Sequence, residues 1–184
     1  LMPATGIYAA ETAATTQNTQ AVQATQNSQN SQTTKNPQEY DWPQAPDIVA
    51  QSAILIDADT GAILYEKDAH AKGYPASTTK ILTGLLTIEN CGLDETVTFS
   101  SAAANSVTYE DASLGTKAGE QYSVEQALYG LLLYSANEIA YGLAEHVSGS
   151  LAAFTELMNK RAKELGAINT HFANASGLHD VNHY

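Results

Sequence analysis

Two short apolar runs predict a pair of strands near the start of the folded region. Residues 52–57 and 62–66 are rich in Ile and Leu. Between them lies Asp-Ala-Asp-Thr-Gly, residues 57–61, whose Asp and Gly residues favour a tight turn. The pattern predicts a β-hairpin. Because a two-stranded hairpin is not stable alone, both strands are expected to belong to a larger sheet.

Beyond the hairpin, the apolar spacing changes to that of helices. Apolar side chains recur at every third or fourth position in four stretches, which predict four helices at residues 78–89, 124–134, 136–147 and 150–165. Gly166 is suited to end the last of them. Residues 96–99 are read as a short extended piece. The predicted fold class is therefore α+β, a hairpin followed by a mainly helical body.

The first 46 residues have a different composition. Residues 12–34 are mostly Gln, Asn, Ser and Thr and contain no charge. Such a run buries too little apolar area to offset the entropy lost on ordering, so residues 11–46 are interpreted as a disordered tether. Residues 1–10 resemble the end of a secretory signal peptide. The folded part is expected to begin at residue 47 in an exported, extracytoplasmic protein that is either secreted or held in the cell envelope.

Charge and cysteine content narrow the possible partners. The net charge is −12 and the isoelectric point about 4.6, which argues against nucleic acid and anionic membrane surfaces as partners. The single cysteine, Cys91, permits no internal disulfide and is read as a buried structural thiol. The five histidines lack the spacing of a helical metal site, so no metal is predicted.

Ser77 and Lys80 are spaced so that a helical turn brings them together. A serine hydroxyl is a weak nucleophile until a base removes its proton. A lysine can be that base if burial or a nearby positive charge lowers its pKa. A helix N-terminus also offers N–H groups to a developing oxyanion. The alternative is that Ser77 merely caps the helix, since serine is a preferred N-cap residue.

Ser135 and Asn137 lie at the predicted break between two helices, where side chains can face a cleft. A second hydroxyl near Lys80 could pass a proton to a leaving group. The Asn137 amide could hold a substrate carbonyl and bond to Lys80. Here too, helix capping is the simpler alternative.

Together these motifs resemble the serine D-Ala-D-Ala carboxypeptidases of peptidase family S11, the low-molecular-weight penicillin-binding proteins. The resemblance covers residues 52–184. The matching segments are residues 56–61, Pro75-Ala-Ser-Thr-Thr-Lys80, Gly119-Glu120, Ser135-Ala-Asn137, Met158-Asn159 and Phe172-Ala-Asn-Ala-Ser-Gly-Leu178.

The resemblance implies a β-lactamase/transpeptidase-like fold and a mechanism without metal or cofactor. Ser77 would attack the terminal D-Ala-D-Ala bond of a peptidoglycan stem peptide while Lys80 takes its proton. Ser135 would protonate the departing D-alanine, and Asn137 would orient the substrate. β-Lactam antibiotics would acylate Ser77.

One family motif is missing. No Lys-Thr-Gly strand follows the other motifs, and Thr116-Lys-Ala-Gly119 neither matches it nor lies in the right place. Residues 47–184 are therefore expected to be the N-terminal part of a catalytic domain that holds only the first strands of its sheet. Any membrane anchor would lie in the missing C-terminal part, and the 184 residues alone are expected to be nearly inactive.

Two other functions stay open from the sequence. A serine β-lactamase of the same fold would need a carboxylate to activate the deacylating water, and none is evident in a suitable loop. A non-catalytic envelope protein would bind peptidoglycan ends or β-lactams without turnover, and the missing motif is compatible with it.

Overall fold

A computed structural model describes residues 44–184, which form a β-hairpin, a second small sheet and a body of helices. The predicted signal-peptide remnant (1–10) and nearly all of the predicted tether (11–46) lie outside the described residues. The main unit spans Ile48–Tyr184. Among the described residues, no helix has both the length and the apolar character needed to cross a membrane.

The elements follow one another along the chain as β1 (Ala53–Ile56), β2 (Ile63–Lys67), a 3₁₀ turn (Ala76–Thr78), α1 (Thr79–Asn90), β3 (Thr96–Thr98), α2 (Ser101–Ala104), β4 (Gln121–Ser123), α3 (Val124–Leu133), α4 (Asn137–Ser148) and α5 (Leu151–Glu164). The predicted hairpin and the four predicted helices are confirmed to within one or two residues at each end.

The hairpin turn forms as its Asp and Gly residues predict. β1 and β2 pair antiparallel, with Ala53 opposite Lys67. The Asp57 carboxylate accepts hydrogen bonds from the backbone N–H of Thr60 at 2.8 Å and from its hydroxyl at 2.5 Å. Gly61 has a φ of +72°, a conformation that glycine adopts without steric cost.

A second sheet was not predicted. β3 pairs antiparallel with β4, with Thr96 opposite Ser123. Ser123 then begins α3 through a capping box, because its hydroxyl accepts from the Gln126 N–H while the Gln126 side chain accepts from the Ser123 N–H. β4 and the four-residue α2 were not predicted, because they are too short to show a hydrophobic period.

Helix α4 runs through the centre of the core and packs against α1, α2, α3 and α5. Gly142 of α4 lies directly against Phe99, since an added Cβ would lie 2.3 Å from the Phe99 ring. The largest fully buried apolar side chains of the core are Leu86, Phe99, Leu131, Ile139, Leu143, Phe154 and Met158. Burial of each contributes roughly 1.5–3 kcal/mol. This packing fixes the N-terminal ends of α1 and α4 relative to each other.

Candidate active site

Ser77 lies in the 3₁₀ turn that leads into α1, and its side chain is exposed. It is not the helix cap that the simpler alternative required: Thr78 precedes α1, and no side chain caps that helix. The Thr78 hydroxyl donates instead to the carbonyl of Pro75 at 2.6 Å. The Ser77 hydroxyl is therefore not used to hold backbone groups.

The backbone just before Ser77 is strained, and a distant segment of the chain packs against it. Ala76 has a φ of +49°, which is uncommon for a residue with a Cβ. Gly177, with a φ of +89°, packs directly on it, so that an added Cβ at Gly177 would lie 1.8 Å from the Ala76 carbonyl oxygen. Strained residues of this kind persist only where the surroundings impose them, and they cluster at functional sites.

Lys80 is almost completely buried, with 2% of its surface exposed. Its ammonium group donates to three acceptors: Asn137 Oδ1 at 2.6 Å, the Ser176 carbonyl at 2.7 Å and Ser77 Oγ at 3.2 Å. The structure thus brings together three of the four predicted site residues, Ser77, Lys80 and Asn137, and adds a backbone carbonyl that the sequence did not predict.

Burial lowers the pKa of Lys80 to about 8, although the negative charges of Asp111 and Glu138 act to raise it. A neutral lysine amine has two N–H groups and one lone pair. It can therefore keep its bonds to Asn137 and Ser176 while its lone pair accepts the Ser77 proton. The arrangement can supply a general base to a serine at near-neutral pH.

Ser135 lies between α3 and α4 with a φ of +59°, so the break between these helices is also strained. The residue is half-buried, and its hydroxyl makes no hydrogen bond to any described residue. Neither Ser135 nor Asn137 caps α4, which begins after Ala136 without a side-chain cap. No described contact joins the Ser135 hydroxyl to Lys80, so its place in the chemistry stays a prediction.

Glu138 is a buried carboxylate beside the site. One of its oxygens accepts the Leu114 N–H at 2.7 Å and the Thr116 hydroxyl at 3.3 Å, and its other oxygen has no hydrogen-bond partner in the described part of the chain. The neighbouring Asn137 N–H donates to the Ala112 carbonyl at 2.8 Å. The start of α4 thereby holds the segment that includes Asp111 against the site.

One face of α1 carries polar side chains whose hydrogen bonds to residues 172–183 were not predicted from the sequence. Thr83 donates to the Ala175 carbonyl at 2.7 Å, and Thr79 is bonded to His183 Nε2 at 2.7 Å. With the Lys80–Ser176 bond, these contacts hold residues 172–183 on α1. The available signal was the set of polar residues at positions 79, 80 and 83, which are neighbours on the helix surface.

His183 is buried, with 2% of its surface exposed. Its Nδ1 accepts the Ala173 N–H at 3.2 Å, so its Nε2 carries the proton and donates to Thr79. Burial lowers the pKa of His183, and the nearby His171 adds to this effect, while Asp180 opposes it.

Cavity volume does not identify this site. A cavity of about 90 Å³ lies beside Ala76 and Gly177, close to Ser77. A larger one, of about 820 Å³, lies between residues 69–73 and 166–171 and contains none of the four predicted site residues. The candidate site is therefore defined by its hydrogen bonds and strained backbone.

These features define a serine–lysine site on a helical body, and comparison with known proteins assigns the family. A family model described as Peptidase_S11, D-alanyl-D-alanine carboxypeptidase, matches residues 39–184. The chain belongs to this family, as the sequence motifs predicted.

Among curated relatives, the chain is similar to the D-alanyl-D-alanine carboxypeptidase DacF of Bacillus subtilis (strain 168), with 39% identity over 140 residues, covering 73% of this chain and 35% of DacF. It is 35% identical over 144 residues to DacA of Escherichia coli (strain K12), covering 74% of this chain and 36% of DacA. The chain thus spans about a third of the length of these relatives.

Solved structures show the same fold. Penicillin-binding protein 5 of Haemophilus influenzae superimposes with a TM-score of 0.72 at 32% identity, covering 78% of this chain and 43% of that one. The D-alanyl-D-alanine carboxypeptidase of Mycobacterium tuberculosis H37Rv gives 0.70 at 34% identity, covering 78% and 53%. The predicted transpeptidase-like fold class is confirmed.

Proposed function

We propose that this chain is part of a serine-type D-Ala-D-Ala carboxypeptidase that removes the terminal D-alanine from peptidoglycan stem peptides. The observation that supports the proposal most strongly is the buried Lys80 ammonium, bonded at once to Ser77 Oγ, Asn137 Oδ1 and the Ser176 carbonyl. This arrangement couples a nucleophile to a base and leaves the nucleophile exposed to substrate.

In the proposed acylation step, Ser77 Oγ attacks the carbonyl between the two D-alanines while its proton passes to neutral Lys80. The Ser77 N–H forms half of the oxyanion hole. The C–N bond then breaks, Ser135 gives its proton to the departing amine and takes the proton held by Lys80 in its place, and free D-alanine leaves. Asn137 orients the substrate through its amide.

Water completes the proposed cycle. It attacks the ester carbonyl, gives one proton to the base, and releases the shortened peptide and the Ser77 hydroxyl. A penicillin would enter the same acylation step, but its opened ring stays attached, so that Ser77 is trapped as a slowly hydrolysed ester. Since peptidoglycan lies outside the cytoplasm, we place the protein in the cell envelope, which agrees with the signal-peptide remnant predicted at residues 1–10.

The test mixes the full-length protein with excess benzylpenicillin and follows its intact mass over time. Ser77→Ala removes the nucleophile, and Ser101→Ala, an exposed serine of α2, is the matched control. We expect a stable adduct of one drug on the parent and on Ser101→Ala, and none on Ser77→Ala. Absence of an adduct on the parent would refute a serine nucleophile and leave a binding protein.

The same experiment separates the two enzyme functions. An adduct that disappears while penicillin is consumed would indicate a β-lactamase and contradict the proposal. A second assay measures D-alanine released from a peptide ending in D-Ala-D-Ala, with an L-Ala-L-Ala peptide as the control. Release from the first peptide alone, lost in Ser77→Ala, is the expected result.

A further inference from the structure

Three side chains that commonly bind metals meet at the end of α1 opposite to Ser77. They are Cys91, Glu95 and His146, and one ligand atom from each lies within 4.8 Å of the other two. His146 Nε2 and Glu95 Oε2 are 3.1 Å apart. Since α1 has 12 residues, this cluster is separated from Ser77 by about 18 Å of helix. It belongs to a different part of the molecule from the proposed active site.

The backbone holds the three residues in place. Cys91 ends α1, and its N–H donates to the Thr87 carbonyl at 2.9 Å. The Glu95 N–H donates to the Gly92 carbonyl, and the Glu95 carbonyl accepts the Val124 N–H at 2.9 Å. His146 lies in the last turn of α4. The cluster is thus built on two helix ends and a turn that is fixed to α3.

The Glu95 carboxylate is oriented by its own turn. Its Oε1 accepts the Gly92 N–H at 2.6 Å, which leaves Oε2 directed at His146. Cys91 is partly buried and packs against the hydrophobic core. One side of the cluster is therefore shielded from water, and the half-exposed Glu95 forms its open side.

The electrostatic potential at this cluster favours a cation. The C-terminal ends of α1 and α4 both lie at the cluster, and a helix C-terminus carries a partial negative charge. The carboxylate of Glu95 adds a full negative charge. A thiolate, an imidazole and a carboxylate are together the ligand types that Zn²⁺ prefers.

We propose that Cys91, Glu95 and His146 bind one Zn²⁺ ion, with water in the fourth position. In a tetrahedral zinc site, neighbouring ligand atoms are about 3.3–3.8 Å apart, so small side-chain rotations are enough to close the observed spacing. The ion would join the ends of α1 and α4 to the turn before β3. It lies far from Ser77, so it would take no part in the proposed acylation.

Metal binding would replace existing interactions in a balanced way. Zn²⁺ displaces the proton of the Cys91 thiol, which passes to solvent, and the Glu95–His146 hydrogen bond gives way to two bonds to the metal. From the sequence, Cys91 was expected to be a buried structural thiol. No metal was predicted, because the histidines lack the spacing of a helical metal site.

The first test uses Co²⁺ as a spectroscopic substitute for Zn²⁺ in the metal-free full-length protein. We expect one equivalent to produce visible d–d bands of tetrahedral Co²⁺ and a near-ultraviolet thiolate-to-cobalt band, both displaced by Zn²⁺. Cys91 is the single cysteine of these 184 residues. Cys91→Ser should remove the thiolate band, and His146→Gln should weaken binding at least tenfold.

Two further variants separate ligation from structure. Glu95→Gln keeps an acceptor for the Gly92 N–H but is a poor metal ligand, so it should weaken binding while leaving the fold intact. His179→Gln, an exposed histidine outside the cluster, should bind as the parent does. No thiolate band, or one that persists in Cys91→Ser, would overturn the proposal.

Thermal unfolding gives a readout that does not depend on activity. Zn²⁺ should raise the melting temperature of the parent and of His179→Gln by several degrees, and should leave that of Cys91→Ser unchanged. An equal rise in all three proteins, or none in the parent, would contradict the site. Penicillin acylation of Ser77 should persist in Cys91→Ser, so this proposal and the proposed function can fail separately.

Discussion

At the scale of single residues, the proposed base Lys80 is buried. Desolvation lowers its pKa to about 8, and its acceptors Asn137 and Ser176 hold the amine in either protonation state. We therefore predict that acylation of Ser77 by benzylpenicillin speeds up with pH, about tenfold per unit well below pH 8, and levels off above about 8. The acylation rate is measured by intact-mass spectrometry of samples quenched at set times across pH 5.5–9.5.

The control for this profile is Lys80→Arg. A guanidinium cannot give up its proton in this range, so acylation should fall by about 10²–10⁴-fold and lose its dependence on pH. A flat profile in the parent, or full activity of Lys80→Arg, would show that another group is the base.

The charges around Lys80 give a second prediction. Asp111 and Glu138 both raise the pKa of Lys80 against the effect of burial, and Asp111 has the larger influence. Asp111→Asn keeps an acceptor for its bonds to Thr108 but removes the charge. The midpoint of the acylation profile should therefore move to lower pH, by up to about one unit.

The matched control is Glu110→Gln, which makes the same charge change on the neighbouring side chain. Glu110 bonds to the exposed Tyr109 hydroxyl and is not among the charges that affect Lys80. Its profile should coincide with that of the parent. If both variants shift the midpoint equally, the effect is one of total charge and not of Asp111.

At the scale of elements, the contact between residues 172–178 and the turn before Ser77 determines the geometry of the site. Gly177→Ala would place a Cβ 1.8 Å from the Ala76 carbonyl oxygen, at a φ of +89°. Because that obstacle is backbone, the loop must move off the turn. We predict a loss of roughly 3 kcal/mol or more in unfolding free energy, together with loss of penicillin acylation. Urea unfolding and adduct mass measure the two effects.

Gly166→Ala is the control for backbone strain alone. Its φ of +90° matches that of Gly177, but no atom lies within 4 Å of the added Cβ. The expected cost is about 1 kcal/mol, with acylation unchanged. Equal costs at the two glycines would mean that the contact with Ala76 contributes nothing.

The elements also show what the sequence could and could not predict. Helices α1, α3, α4 and α5 were predicted because each has a long apolar period, and the hairpin because its turn has distinctive Asp and Gly residues. β4 has three residues and no period, so only tertiary pairing with β3 defines it. Ser77 and Asn137 could be selected as site residues from their spacing and neighbours. The 3₁₀ turn at Ser77 could not, because it depends on the approach of Gly177 from 100 residues away in the chain.

At the scale of the whole molecule, one buried histidine joins the last residues of the chain to the start of α1. Neutral His183 accepts from the Ala173 N–H and donates to Thr79 at the start of α1, and its ring packs edge-on against Phe172 at 5.5 Å. A protonated ring has no acceptor, so the bond from Ala173 is possible only for the neutral form. The attachment of residues 172–183 to α1 should therefore depend on pH.

The sign of that dependence follows from linkage. The pKa of His183 is lowered from its ordinary value of 6.5 in the folded state, so below about pH 6.5 the unfolded chain binds this proton more readily than the folded one. Stability contributed by His183 is then complete above pH 6.5 and is lost as the pH falls from there toward the lowered pKa of the folded state.

We predict that the unfolding free energy, measured by urea titration between pH 7.5 and 5, declines in the parent and in His179→Gln, whose altered side chain is exposed. His183→Gln should start lower at pH 7.5, because the packing is altered, and should decline less steeply. Parallel slopes for all three proteins would assign the acid sensitivity to other groups and leave His183 as a pH-independent packing residue.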